Sequence, residues 1–451
     1  MAVTFAFVES IGGSTRLDLN SSPWKLLAEG TTFGRPELRR QISGNMLIDG
    51  QQISAEAYGN REMVLRFELN TSTADQAAAE QQKLFRELDR PRNILRYKPH
   101  TSTDVWFRTY RAGPEEVTLD GTADGTTWTI TVNLLAEPFA YGAKHTVLSG
   151  QSISMNPANS NGMYRDITGV RGDVEAPAQI IFPASQVAGF TSAVAIRRRG
   201  TPSNVPFLCQ AESLTTGTNT SAQANNSDFS GSGNNWVRTT FGTPTNQIRM
   251  STTAYPSTPS VDARGMYKVF ARLRRDDAVG EIYIQLNNNA PVRTNLGVAM
   301  RMFELGEVVI PGGMDPVVEG PSGVELAAAG VPLEIRAERQ SGSSDLQYDY
   351  FLFFPADNIS DRFAMVTWPS ATSGFHVFDG YNGAVYNIDA SGAVTNSAAS
   401  FIGNVMMLTP NQTNRLFFCR KAFDIADALT DSVTVTVAYY PRYLNVAPVG
   451  S

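Results

Sequence analysis

Cysteine is nearly absent from this chain: two among 451 residues, Cys209 and Cys419, far apart in sequence. That argues against a disulfide framework and against a cysteine-rich metal site, and leaves both as small apolar side chains for a core. Histidine is as scarce. His100, His145 and His376 are the three present, and none has a second His or Cys at metal-ligand spacing. No run reaches the roughly 18 apolar residues of a membrane span. The opening MAVTFAFVESIGG lacks a basic region, and its apolar run is too short for a secretory leader. The expectation is a soluble protein made in a cytoplasm. There is also no Gly-x-Ser-x-Gly elbow and no Gly-rich phosphate loop ending in Lys.

Excess charge is missing too. Against 37 Lys and Arg stand 43 Asp and Glu, a net charge of −6. A general nucleic-acid-binding surface would need a basic stripe. A channel that nucleic acid only passes through would not, and an acidic wall would repel phosphate and prevent sticking. The length allows roughly two to four domains, each with its own core.

Helical periodicity is rare, so the class is mainly β. In YGNREMVLRFELN, Met63, Leu65, Phe67 and Leu69 alternate with Glu62, Val64, Arg66 and Glu68, the period of a half-buried strand behind a Gly59-Asn60 turn. Thr73-Ala-Asp-Gln76 fits a capping box, and AAAEQQKLFRELDR after it reads as a helix stopped at Arg90-Pro91. With NILRYKP, DVWFRTYRAGPEEVTLDG and TTWTITVNLLAEPFAYG, a first unit reads β-β-α-β-β-β and ends near Gly142. A second unit starts near Lys144. Its strand pattern stops at the Thr/Ser/Asn/Gly-rich stretch 215–235, which reads as loop. A separate strand set then runs to about Pro355, and the chain after it continues the second unit. The expected division is 1–142, then 143–204 with 357–451 as one discontinuous sandwich, then 205–356 as a β-sandwich inserted into it.

Several stretches, taken in order, resemble a known family. DGQQISAEAYGNREMVLRFELN, LDRPRNILRYKPH, WFRTYRAG and TWTITVNLLAEPFAYG resemble the N-terminal domain of siphovirus distal tail proteins. GDVEAPAQIIF at 172–182 resembles the start of that family's galectin-like C-terminal domain, and LTPNQTNRLFF with VTVTVAYYPRYLNV fits its last strands. The middle departs from the family. There QAESLTTGTNTS, GMYKVFARLRR and DYFLFFP resemble β-sandwich carbohydrate-binding modules. The resemblance implies a homo-oligomeric ring, usually a hexamer, at the tip of a phage tail. The ring joins the tail tube to the tail-tip or baseplate hub and leaves a channel for DNA and the tape-measure protein. The C-terminal domains point outward, and some touch host cell-wall glycans. Under that reading the protein is a non-enzymatic virion component without a cofactor. Two alternatives stay open: a carbohydrate-binding receptor protein at the tail tip, and a glycan hydrolase.

Within this frame Arg108, Tyr110 and Arg111, on the strand before the last hairpin of the first unit, are candidates for an inter-subunit contact; packing in the core is the other reading of Trp106 and Tyr110. Sugar sites pair an exposed aromatic face with hydrogen-bonding side chains. Trp236, Tyr255, Tyr267 and Tyr283 lie in the insert. The alternating Tyr267-Val269-Ala271-Leu273 face reads as core, so Trp236, beside Asn235 in a loop-like region, is the expected platform. Trp24, Trp106, Trp128 and Trp368 read as packing or interface residues. Arg171-Gly172-Asp173 reads as a Gly-Asp turn before a strand. Arg197-Arg198-Arg199 reads as a solvated strand end or subunit contact, and Asp276-Asp277 as a turn.

Overall fold

The computed structural model describes residues 3–43, 52–99, 103–113, 116–156, 162–198, 206–224, 235–241, 246–255, 265–276, 281–294, 300–310, 331–342, 345–355, 363–395, 399–421 and 432–446. The fold is mainly β, as the alternating patterns predict, built from antiparallel sheets with two helices among the described residues. None of those helices is long and apolar enough to cross a membrane. The chain divides into two compact units: Met1–His145 with Arg171–Ala176 and Tyr439–Ser451, and Thr146–Val170 with Pro177–Ala438.

Apart from a two-stranded ribbon of Leu38–Ser43 and Gln52–Tyr58, the first unit has a helix and a nine-stranded sheet. Seven of its strands lie in the order Thr15–Asp18, Thr4–Val8, Arg92–Lys98, Val105–Tyr110, Thr127–Tyr141, Arg61–Asn70 and Trp24–Leu26. The strand Arg61–Asn70 alternates in burial along its whole length, with Met63, Leu65, Phe67 and Leu69 in the core. Those side chains meet Phe5, Phe7, Leu95, Tyr97, Phe107, Ile130 and Val132. The helix Ala74–Leu88 starts as its sequence predicts. Thr73 is extended, and its hydroxyl accepts from the Gln76 N–H at 3.2 Å. Its far end is tied to the sheet, because Glu87 takes Arg16 at 2.9 Å and Arg90 at 3.1 Å.

The end of the chain belongs to this unit, whereas the sequence reading placed it with the C-terminal sandwich. Arg442–Tyr443 pairs antiparallel with Ala140 and Tyr141. Two devices hold it. The carboxylate of Asp173 accepts from the Leu444 and Asn445 N–H groups at 2.8 and 3.3 Å, and its own N–H donates to the Arg442 carbonyl at 2.8 Å. The second device is Arg61, fully buried at the head of its strand. Its guanidinium donates to the carbonyls of Phe33 (3.3 Å), Gly34 (3.2 Å), Pro138 (3.1 Å) and Leu444 (2.8 Å), and lies over the Phe107 ring. Burial, then the charge of Arg35, lowers its pKa to about 10, so it stays charged at neutral pH.

Arg171-Gly172-Asp173 is therefore a clasp on the last strand. Gly172 has φ +118°, and a Cβ there would sit 2.8 Å from the Arg442 carbonyl oxygen. Gly172→Ala is expected to cost about 2 kcal/mol and to open the C-terminal segment to carboxypeptidase. An unchanged digestion rate would show that the clasp is not holding it.

The second unit holds two pairs of sheets. One pair combines a seven-stranded sheet, His145–Ser154, Ser432–Tyr439, Ala176–Pro183, Phe375–Asp379, Ala384–Ile388 and Val394–Thr395 with Met407–Leu408 beside Ala176–Pro183, and a five-stranded one, Tyr164–Ile167, Asn414–Lys421, Thr191–Arg198, Phe363–Thr367 and Ser400–Gly403. The strands from Phe207–Gln210 to Leu346–Pro355 pair only with one another among the described residues. They make a six-stranded sheet around Leu346–Pro355 and Gly265–Arg275, and a five-stranded one around Val331–Ser341 and Glu281–Leu286. The expected loop 215–235 contains strands Thr215–Thr216 and Thr220–Gln223; residues 225–234 lie outside the described residues. Its Thr side chains suit an edge position as well as a loop, which is why composition misread it.

All ten residues of Leu346–Pro355 are buried. A strand buried on both faces needs cover on both. On one side Tyr348, Phe351 and Phe353 meet the core between the two inserted sheets, with Ile282, Ile284 and Ile335. On the other side Tyr350, Leu352 and Phe354, with Phe270 and Met302, pack on Met163, Ala193, Ala195, Phe417 and Cys419. The inserted sandwich and its host thus share an apolar core.

Candidate functional site

The residues expected at a subunit contact line a small concavity on the first unit. On the outer face of the sheet, Arg92 stands opposite Tyr110 and Ile94 opposite Arg108. The strand Thr127–Tyr141 is irregular between Ala136 and Ala140, and this swings Glu137 toward the same face. Glu137 accepts from the Tyr141 hydroxyl at 2.6 Å, and the Arg108 guanidinium lies 5.4 Å from the centre of the Tyr141 ring. Glu9, Arg16 and Asn93 complete a hollow of about 180 Å³. This is below the roughly 300 Å³ of small-molecule sites and suits a single inserted side chain. The hollow brings Arg108 and Tyr110 together. Arg111 stands apart, past the strand end, in an exposed pair with Asp89 at 2.9 Å. Thr109, between Arg108 and Tyr110, is buried and also lines the hollow, and Phe107 before them is buried in the core. Trp106 is buried as well, so the packing reading holds for it, while Tyr110 stays half-buried.

In the insert, the expected exposure of Trp236 is corrected. It opens the strand Trp236–Thr239, is 8% exposed, and clusters with Met300. The cause is its sheet: Gln223 pairs with Trp236, so the indole sits on a sheet layer rather than in a loop. Asn235 beside it is half-buried. Tyr267 is core, as its alternation predicts. Among the candidates whose side chains the structure describes, the open aromatic is Tyr283; the side chain of Tyr255 lies outside that description. Tyr283 stands opposite Glu338 on one side and Arg293 on the other, on the five-stranded sheet. With Asn246, Gln285, Pro291 and Gln340 it lines a hollow of about 380 Å³.

No group of three or more His, Cys, Asp or Glu side chains able to hold a metal occurs among the described residues. His376 is fully buried and stacked on Trp368, and burial lowers its pKa. His145 packs edge-on to Tyr439, and burial and Arg171 lower its pKa. His100 and Arg199 lie outside the described residues. Cys209 and Cys419 are both buried.

No family model matches the chain, and no curated protein matches it. Among solved structures it is similar to the SPP1 Dit protein, described as a paradigm of the hub adsorption apparatus in phages infecting Gram-positive bacteria. The identity is 10%, the coverage 98% of this chain and 99% of that one, and the TM-score 0.37. It is similar to the phage P2 baseplate in its calcium-activated conformation at 8% identity, over 79% of this chain and 99% of that one, with a TM-score of 0.26. An exo-beta-1,3-galactanase from Phanerochaete chrysosporium is matched at 10% identity, over 72% and 69% of the two chains, with a TM-score of 0.20.

One feature, Arg61, escaped the sequence reading, and a second, Tyr283, was named in it but passed over for Trp236. Arg61 is in register with Met63 and Leu65, so its parity alone put it on the buried face. Tyr283 sits between Ile282 and Ile284, which the same parity sends to the core. In each case the signal was the residue that broke the character of its face.

Proposed function

We propose that the chain is a structural virion protein of a phage tail tip. It is a distal tail protein whose first unit forms a homo-oligomeric ring, of hexameric order, between the tail tube and the tail-tip hub. The ring leaves a passage for DNA and the tape-measure protein, and the second unit, Thr146–Val170 with Pro177–Ala438, is carried outward. The observation that carries this reading is the way the chain is threaded: both its first 145 residues and its last 13 lie in one unit, with nearly everything else looped out between them. Such a body keeps a closed fold of its own while carrying a large appendage. The family-like stretches in their order, and the side-chain-sized hollow at Arg108 and Tyr110, support it further.

The test is the mass and negative-stain shape of the purified protein. About six copies around an open centre is the expected result. Arg108→Ala with Tyr110→Ala is expected to shift that assembly toward monomer without changing the circular dichroism. A trimeric spike would overturn the ring and favour the alternative of a glycan-binding receptor protein, for which the open Tyr283 face is the supporting observation.

A further inference from the structure

The insert has two sheets, and among the described residues only the five-stranded one has an outer face without apolar cover. The six-stranded sheet spends both faces on apolar contacts, one on the insert's own core and one on the host sandwich. Among the described residues this leaves the outer face of the five-stranded sheet as the sheet face open to a ligand. Along Glu281–Leu286, Ile282, Ile284 and Leu286 go inward, which turns Tyr283 and Gln285 outward. On the neighbouring strand Glu338 stands opposite Tyr283. Between the pairs Glu281–Ser341 and Ile282–Arg339 the ladder slips, and Gln340 is the extra residue. A bulge re-aims a side chain, and here it adds a second amide to the hollow.

The groups are held to different degrees. Gln285 is fixed: it accepts from Asn246 at 3.1 Å and donates to the Asn289 carbonyl at 2.9 Å. Among the described residues the polar ends of Tyr283, Glu338 and Gln340 bond to no protein group. A half-exposed phenol ring is thus surrounded by amide and carboxylate groups free to donate and accept.

We propose that this hollow is a glycan subsite: one face of a neutral pyranose stacks on Tyr283, and its hydroxyls bond to Glu338, Gln340 and Asn246. The chemistry selects the occupant. Adjacent sugar hydroxyls both donate and accept, which matches an amide and a carboxylate side by side, and the apolar ring face matches the phenol. An anionic polymer gains little, since the nearby Arg293 is already engaged by Glu281. A peptide strand cannot add here, because the hollow lies on a sheet face whose backbone is already paired. The volume of about 380 Å³ falls within the ligand-site range. The inference rests on the glycan-binding reading named above, which holds for an outward domain of a ring as for a receptor protein, and adds the residues that would perform it.

The experiment is affinity electrophoresis of the full chain through gels holding a soluble galactan, glucan, mannan or rhamnan. The expected result is retardation of the wild type in at least one gel. Tyr283→Ala should weaken it by about tenfold or more, as loss of a central aromatic anchor does, while Tyr283→Phe, which keeps the ring, should retain most of it. Gln340→Ala gives a second variant, remote from any core contact, expected to weaken binding several-fold. Equal retardation of wild type and Tyr283→Ala would overturn this subsite while leaving the recognition role standing elsewhere on the chain. No retardation of the wild type in any gel would overturn both the subsite and the glycan-binding role, and leave the ring untouched.

Discussion

Replacing Arg61 with alanine is expected to destabilise the first unit by about 3–5 kcal/mol, the range for breaking a buried charged network. Its guanidinium is the donor for carbonyls from Phe33, Gly34, Pro138 and Leu444, which belong to three separate stretches of chain. All its partners are backbone oxygens, so no carboxylate is left behind when it goes. What is left is a set of buried acceptors, each costing about 1–3 kcal/mol when its donor is lost. A guanidinium fork can reach several carbonyls at once, whereas an ammonium is a point donor. Arg61→Lys should therefore recover only part of the loss. Urea unfolding followed by tryptophan emission reads this directly, because Trp24, Trp106 and Trp128 all lie in the first unit. Carboxypeptidase should also trim the variant faster, since Leu444 loses its anchor. A loss below about 1 kcal/mol, the worth of an ordinary hydrogen bond, would mean that the carbonyls find other donors and that Arg61 is a passenger.

How far the sequence spoke depended on how local each cause was. The strand Arg61–Asn70 and the start of the helix Ala74–Leu88 were legible because parity and a capping threonine act over a few residues. The run FLFFP was legible as the end of a strand set, but its cover on both faces was not, since Phe417 and Met163 come from other parts of the chain. Arg61 was hidden for the same reason: its partners lie 27 to 383 residues away. Trp236 was misjudged because a polar run before an indole looks like a loop, whereas pairing with Gln223 makes it the first residue of a strand. Of the candidate contact residues, Arg108 and Tyr110 share the outer face of one strand as period 2 requires, and Arg111 falls past its end. The alternation of Ile282, Ile284 and Leu286 puts Tyr283 on an outer face. Only the cover over the other sheet makes that face the free one.

The shared core makes a second prediction, against the usual behaviour of inserted modules. A module joined by loops alone could be cut out and its host would keep its fold. Here the host sheet carries Met163, Ala193, Ala195, Phe417 and Cys419 against the insert, with Phe363 and Met365 packed at their margin. Phe354 is at the centre of this layer, with its ring edge-on to both Phe363 and Phe417. Phe354→Ala is expected to cost about 3–5 kcal/mol, as large-to-small changes of a buried aromatic do. A variant lacking 206–355, closed by a short Gly-Ser link, should expose the apolar face and aggregate on size-exclusion chromatography. The isolated insert should do the same through Phe270, Met302 and Leu352. A soluble, monodisperse deletion variant with native circular dichroism would show the shared core to be dispensable, and Phe354→Ala would then be near neutral. If instead both predictions hold, the insert does not swing on a tether. Its Tyr283 face is carried at a fixed attitude to the host sandwich, so a polymer bound there pulls on that sandwich directly.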